Sequence, residues 1–158
     1  MTKKNLKYFN VRVYAIIIND KNEVLLADEF ALNRRMTKFP GGGLEFGEGT
    51  LDCLHREALE ELGQDIEIGK HFYTTDFFQF AVGRDNQQLL SIYYFGTFKD
   101  DIRFKISEKK FDWLDDANGQ ISFRWQAIET LNVEEITFPI DRKVAVLIME
   151  RFTNETSD

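Results

Sequence analysis

Residues Gly42 to Gln64, reading GGLEFGEGTLDCLHREALEELGQ, set a glycine-rich turn directly ahead of a short helical pattern carrying Glu57, Glu60 and Glu61. Positions i, i+3 and i+4 share one helix face, so the three carboxylates form one acidic cluster. Like charges at that spacing repel by a few tenths of a kcal/mol, and they stand in the last turns, the unfavourable end of the macrodipole. A local rule broken this way marks a functional site more often than an accident. The usual remedy for clustered carboxylates is a hard divalent cation. In isolation a solvated acidic face would still account for the three residues.

The spacing resembles the Nudix signature G-x5-E-x7-R-E-U-x-E-E-x-G-U, in which U is a bulky aliphatic residue. Gly42, Glu48, Arg56, Glu57, Glu60, Glu61 and Gly63 occupy all seven fixed positions. With residue frequencies of roughly 5–9 % each, a chance match at a given start is on the order of 10⁻⁸, and this moves the reading of the glutamates from solvated face to metal site. Ala58 is small and Gln64 polar where the pattern wants aliphatic residues; both departures concern packing. The resemblance implies an α+β protein, an α/β/α sandwich with a mixed β-sheet flanked by helices. It also implies a Mg²⁺-dependent hydrolase (Mn²⁺ as a substitute) that cleaves a diphosphate linkage. Carried over residue by residue, Glu57, Glu60 and Glu61 are expected to hold the metal and, with Arg56, to form the catalytic group. A backbone carbonyl of the glycine turn, that of Gly41, is expected to add a ligand. Gly42, Glu48 and Gly63 are expected as structural positions, with Arg56 forking onto Glu48. The family often draws a further carboxylate from outside the motif; here Glu108, Asp112, Asp115 and Asp116 are the candidates, and loop solvation explains each equally. Many relatives pair, so a homodimer is a family expectation.

At 158 residues and 43 % hydrophobic content with 15 Phe, the chain can form one domain, read as residues 1–158. No apolar run approaches the ~18 residues of a membrane span, and the basic N-terminus lacks the apolar core of a signal peptide. One cysteine, Cys53, allows no internal disulfide and fits a reducing compartment, with cytoplasm as the expectation. The net charge of −7 argues against an extended nucleic-acid surface but not against a small nucleotide-type diphosphate, because a bound metal inverts the charge of an acidic pocket.

Along the chain, Val11–Ile18 and Glu23–Asp28 read as two strands of a hairpin, and Glu29–Met36 as a loop. Thr50 is the expected N-cap, Leu51, Leu54, Ala58 and Leu62 the buried stripe, and Gly63 the terminating glycine. Ile66–Val82 and Gln87–Phe98 are β-like runs around a turn at Gly83–Asn86. A short strand is expected at Ile102–Ile106, another at Ile121–Ile128, and an amphipathic helix at Asp141–Phe152. The basic stretch Asn33–Lys38, with Arg35 and Lys38, is a solvated loop or a phosphate contact. Phe39, beside the glycine turn, is the aromatic best placed to stack a base, ahead of Phe77, Phe78 and Phe80. Glu45 either binds metal or faces solvent. Cys53 reads as a small, semi-buried residue rather than a catalytic thiol, and His55 and His71 as structural or exposed. The functional expectation is a hydrolase of a nucleoside diphosphate linked to another moiety, such as a nucleotide sugar, dinucleotide or nucleoside triphosphate. The rival is a silent Nudix-fold module that binds a nucleotide ligand without turning it over.

Overall fold

The computed structural model describes residues 3–155; Met1, Thr2 and residues 156–158, which the single-domain reading includes, lie outside them. Among the described residues the strands and α-helices follow in the order β1 Tyr8–Ile17, β2 Glu23–Ala31, β3 Arg34–Lys38, β4 Gly41–Gly43, α1 Thr50–Leu62, β5 Glu67–Thr74, β6 Gln87–Thr97, β7 Gln120–Ala127 and α2 Pro139–Glu155. The α+β class expected from the sequence holds. The residues group into two compact units, one of 1–15 with 41–102 and one of 16–40 with 103–158.

The first unit is built on a four-stranded sheet in the order β4-β1-β6-β5. β4 pairs antiparallel with β1, setting Arg12 opposite Gly43 and Tyr14 opposite Gly41. Along β6, Leu89, Ser91 and Tyr93 are buried in alternation, as the pleat requires. Tyr14 stacks on Tyr93 with centroids 5.3 Å apart. β5 ends at Thr74, so the long run to Val82 is not one strand: it breaks into a loop that touches β6 again at Phe80–Gln88.

The second unit carries a three-stranded antiparallel sheet, β3-β2-β7, with β2 in the centre. Val24–Asp28 are buried without a break, as expected of a central strand covered on both faces. The segment Glu29–Met36 is strand rather than loop. β2 runs on to Ala31 and turns through Leu32 and Asn33, at φ 54° and 56°, into β3. Two consecutive left-handed residues define a type I′ turn, which a Leu-Asn pair does not advertise. Ile102–Ile106 forms no strand among the described residues, only a parallel bridge from Ile106 to Phe123. In α2, Ile140, Val144, Ala145 and Ile148 are buried at helical spacing.

Candidate metal centre and its surroundings

The glycine turn leads from β4 into α1 through Leu44–Gly49. Gly47 takes φ 92° there, and Glu45 N–H donates to Glu48 Oε2 at 3.0 Å. Gly49, not Thr50, is the N-cap: its N–H donates to Asp52 Oδ2 at 2.8 Å. Thr50 is already helical and its hydroxyl meets Tyr94 Oη at 2.9 Å. At the other end Gly63 lies at φ 66° and its N–H closes on Leu59 O at 3.1 Å, an αL stop of the kind the sequence anticipated. The buried stripe of α1 is Cys53, Leu54, Ala58 and Leu62. Leu51, expected in it, is 48 % exposed, and Cys53 takes its place in the stripe.

Arg56 organises the site. Its Nε and Nη2 fork onto the Glu48 carboxylate, and Nη2 also donates to Gly43 O at 2.8 Å. Nη1 donates to Glu57 Oε1 at 2.9 Å and Glu60 Oε2 at 3.2 Å. One planar guanidinium thus ties β4, the loop and the helix together, as a bidentate arginine is suited to do. The contact with Glu48 is the one expected from sequence; the contact with Glu57, its chain neighbour, is additional. Glu48 is held down to a pKa of about 2, chiefly by the hydrogen bond from Arg56, and the guanidinium pKa is raised by the same contact. Burial pushes the Cys53 thiol up to about 11.

Gly42 supplies room. A Cβ there would stand 2.1 Å from Glu57 Oε1, so the carboxylate approaches the backbone closely only because glycine lacks that atom. At Gly41 (φ 137°) a Cβ would meet Val13 O at 2.2 Å, and the Gly41 N–H reaches Glu61 Oε2 at 3.4 Å. Glu57 is nearly enclosed at 13 % side-chain exposure, whereas Glu60 and Glu45 are open, and Glu45 lies only 4.0 Å from Arg56 Nη1. Among the described residues no three carboxylate, His or Cys side chains converge on one point for a metal. Arg56 Nη1 joins the Glu57 and Glu60 carboxylates. The donor chemistry nonetheless fits a hard cation, since the carboxylates of Glu45, Glu48, Glu57, Glu60 and Glu61 accompany the Arg56 guanidinium on the helix and its loop, beside the capping Asp52.

The residues expected at the substrate fall in the second unit. Phe39 is fully buried, so it has no face to offer a base and that expectation fails: a large aromatic beside a tight turn went into the core. Lys38 is also buried and pairs with Glu29 at 3.2 Å. Arg35 is half exposed, bonded to Asp116 at 2.9 Å and stacked over Phe111. Of the acids considered as a further base, Asp112 and Asp116 are held below the usual carboxylate range by Lys105 and Trp113 respectively, while Glu108 and Asp115 are exposed. His55 pairs with Asp65 at 2.6 Å and His71 with Thr74 at 2.8 Å, which accords with structural roles. Sequence reasoning passed over Arg12. Its register opposite Gly43 and its hydrogen bond to Tyr14 Oη at 2.6 Å put it beside the turn; a lone arginine within an apolar strand run was the available signal.

A NUDIX domain model matches residues 8–147. Two curated proteins are similar over shorter stretches: an RNA pyrophosphohydrolase of Ruthia magnifica, 42 % identical over 59 residues, and one of Francisella tularensis, 33 % identical over 63 residues. Those stretches are 37 % and 38 % of this chain, which spans only 32 % and 39 % of the length of these relatives. Among solved structures, the MutT protein from Methanosarcina mazei superposes with TM-score 0.63 at 22 % identity, over 96 % of this chain and 98 % of that one; at this identity the likeness is one of fold.

Proposed function

The chain belongs to the NUDIX domain family, and from that premise we propose that it is a pyrophosphohydrolase dependent on a divalent cation, Mg²⁺ in the first instance. The observation that carries this is the complete seven-position signature folded as one Gly-loop and helix, with Arg56 bracing Glu48, Glu57 and Gly43. Glu57, Glu60 and Glu61 would hold the cation, with the Gly41 carbonyl as a further ligand. When bound, the ion neutralises a diphosphate and makes attacking water more acidic. The protein's own part is positioning: phosphoryl chemistry needs alignment and charge stabilisation above all, and α1 is a rigid carrier for both. Arg56 fixes the loop against the helix, and Gly42 admits the Glu57 carboxylate.

The substrate we propose is a nucleoside diphosphate linked to another moiety, a small nucleotide-type molecule acted on in a reducing, cytoplasmic setting. None of the described helices is long and apolar enough to cross a membrane. The similarity to RNA pyrophosphohydrolases adds RNA carrying a terminal diphosphate to the compounds worth testing. Residues 1–158 are read as one domain, because the family match runs through segments of both units.

The test is Mg²⁺-dependent turnover of a panel of nucleoside triphosphates, nucleotide sugars, dinucleotides and 5′-triphosphorylated RNA by wild type and Glu61→Gln. Turnover of one class is expected, with loss in Glu61→Gln exceeding the roughly 10–100-fold that supporting residues around a metal cost. Thermal stabilisation by a panel compound without turnover would instead favour the silent binding module.

A further inference from the structure

On the first unit, away from the glutamate helix in sequence, a groove of about 350 Å³ opens between the start of β1 and the loop preceding β6. Its lining includes Tyr8, Phe9 and Phe78, with Lys3 and Lys7 among them and the Gln88 side chain as a polar member. Tyr8 is 61 % and Phe9 70 % exposed, an unusual investment of large aromatics in solvent for two adjacent residues. Lys3 Nζ stands 4.5 Å from the centre of the Phe78 ring, and Phe78 is braced edge-on by Phe80 at 4.7 Å. The backbone beneath is fixed: the N–H groups of Lys7 and Tyr8 both donate to Asn86 O, and Leu89 N–H donates to Gln79 O.

The charge here opposes that of the molecule. The lining carries Lys3 and Lys7 and no acidic residue, in a chain of net charge −7. Arg84 and Asp85, in the turn that supplies Asn86, offset one another. A local positive strip with exposed aromatic faces matches a ligand that is polyanionic and carries flat rings. Lysines and exposed rings also suit an anionic membrane surface; the concave shape and the Gln88 amide in the lining favour a base, which offers hydrogen-bonding edges as well as a flat face.

We propose that this groove binds a single-stranded nucleic-acid segment, with bases stacking on Tyr8 and Phe9 and phosphates meeting Lys7 and Lys3, the latter held over the Phe78 ring. Sequence-tolerant stacking combined with lysine contacts is how single strands are generally held. The volume, at the low end of ligand pockets, suits one nucleotide of a longer chain. The inference deepens the hydrolase reading by naming a polynucleotide as substrate class, and in that respect rests on it; the binding itself requires no turnover.

The experiment is fluorescence anisotropy of a 3′-labelled octa-adenylate RNA with the full chain in EDTA, titrated between about 50 and 200 mM salt. Wild type is expected to bind. The double variant Tyr8→Ala/Phe9→Ala should lose about tenfold or more in affinity. Lys3→Ala/Lys7→Ala should lower the salt slope by roughly 1.4, about 0.7 per phosphate contact on a single strand. Circular dichroism melting of each variant establishes that it folds, which the exposure of these side chains favours. No binding by wild type at the lowest salt overturns the proposal, and so does equal affinity in the variants. A wild-type dimer that Tyr8→Ala/Phe9→Ala converts to monomer in sedimentation also overturns it, since a second copy then fills the groove. Turnover of the small-molecule panel, measured separately, decides the hydrolase reading whatever the anisotropy gives.

Discussion

At the scale of single residues, the two glycines before the loop have different jobs. At Gly41 a side chain would strike backbone, Val13 O at 2.2 Å and Tyr14 Cα at 2.8 Å. Gly41→Ala is therefore expected to cost about 3 kcal/mol, the upper range for overpacking, in chemical denaturation. At Gly42 the obstacle is the end of the Glu57 side chain, which can swing away. Gly42→Ala should cost about 1 kcal/mol or less yet reduce Mg²⁺ affinity and turnover by about tenfold or more through the displaced carboxylate. Near-normal turnover in Gly42→Ala would show that the position of Glu57 does not matter. Glu48 gives a pH signature. Its pKa falls from 4.5 to about 2 on folding, so the stability it contributes is complete above pH 4.5 and is lost as pH falls toward 2. Glu48→Gln should flatten the stability profile over that interval, read as melting temperature against pH.

Elements were legible where residues announce their backbone, and obscure where they do not. The helix α1 followed from its motif, its buried Leu54, Ala58 and Leu62, and Gly63 in the αL conformation. Its cap was misread because Asp52, three residues into the helix, closes on Gly49 and leaves Thr50 to bond Tyr94; only tertiary context settles such a choice. The β2–β3 hairpin was hidden for a related reason. Its turn places Leu32 and Asn33 at positive φ, where Asn-Gly would have been recognisable. Leu32 is exposed and pays the left-handed penalty of an ordinary L-residue, ~1–2 kcal/mol. Leu32→Gly is thus expected to stabilise the protein by about 0.5–1 kcal/mol, measured by urea unfolding; destabilisation would mean the Leu32 side chain makes a contact worth more than the strain. Phe39 and Lys38 were hard to judge in the same register: β3 carries Met36, Thr37 and Lys38 inward with Phe39, which adjacency in sequence to a glycine turn does not reveal.

At the scale of the molecule, the reading of charge needed refinement rather than reversal. A net −7 remains a poor background for an extended nucleic-acid surface, but the average concealed a basic, aromatic strip on the first unit. The acidic side has its own consequence for stability. Four carboxylates on α1 and its loop, Glu45, Glu48, Glu57 and Glu60, face the Arg56 guanidinium, so a cation that binds only the folded state must raise the melting temperature by mass action. Adding Mg²⁺ to the EDTA-treated protein should raise it, and Glu57→Gln/Glu60→Gln should erase that response; an unchanged response would place the cation elsewhere.

Cys53 offers a way to watch the centre without a substrate. It is fully buried, its thiol reaches Gly43 O at 3.5 Å, and Arg56 Nη2 lies 3.7 Å from its sulfur. An alkylating reagent can reach that atom only when loop and helix part, and the chain has no other cysteine to confuse the signal. The labelling rate therefore becomes a clock for the opening of the Arg56 clamp, and its slowing by a bound cation would time how firmly the loop is closed.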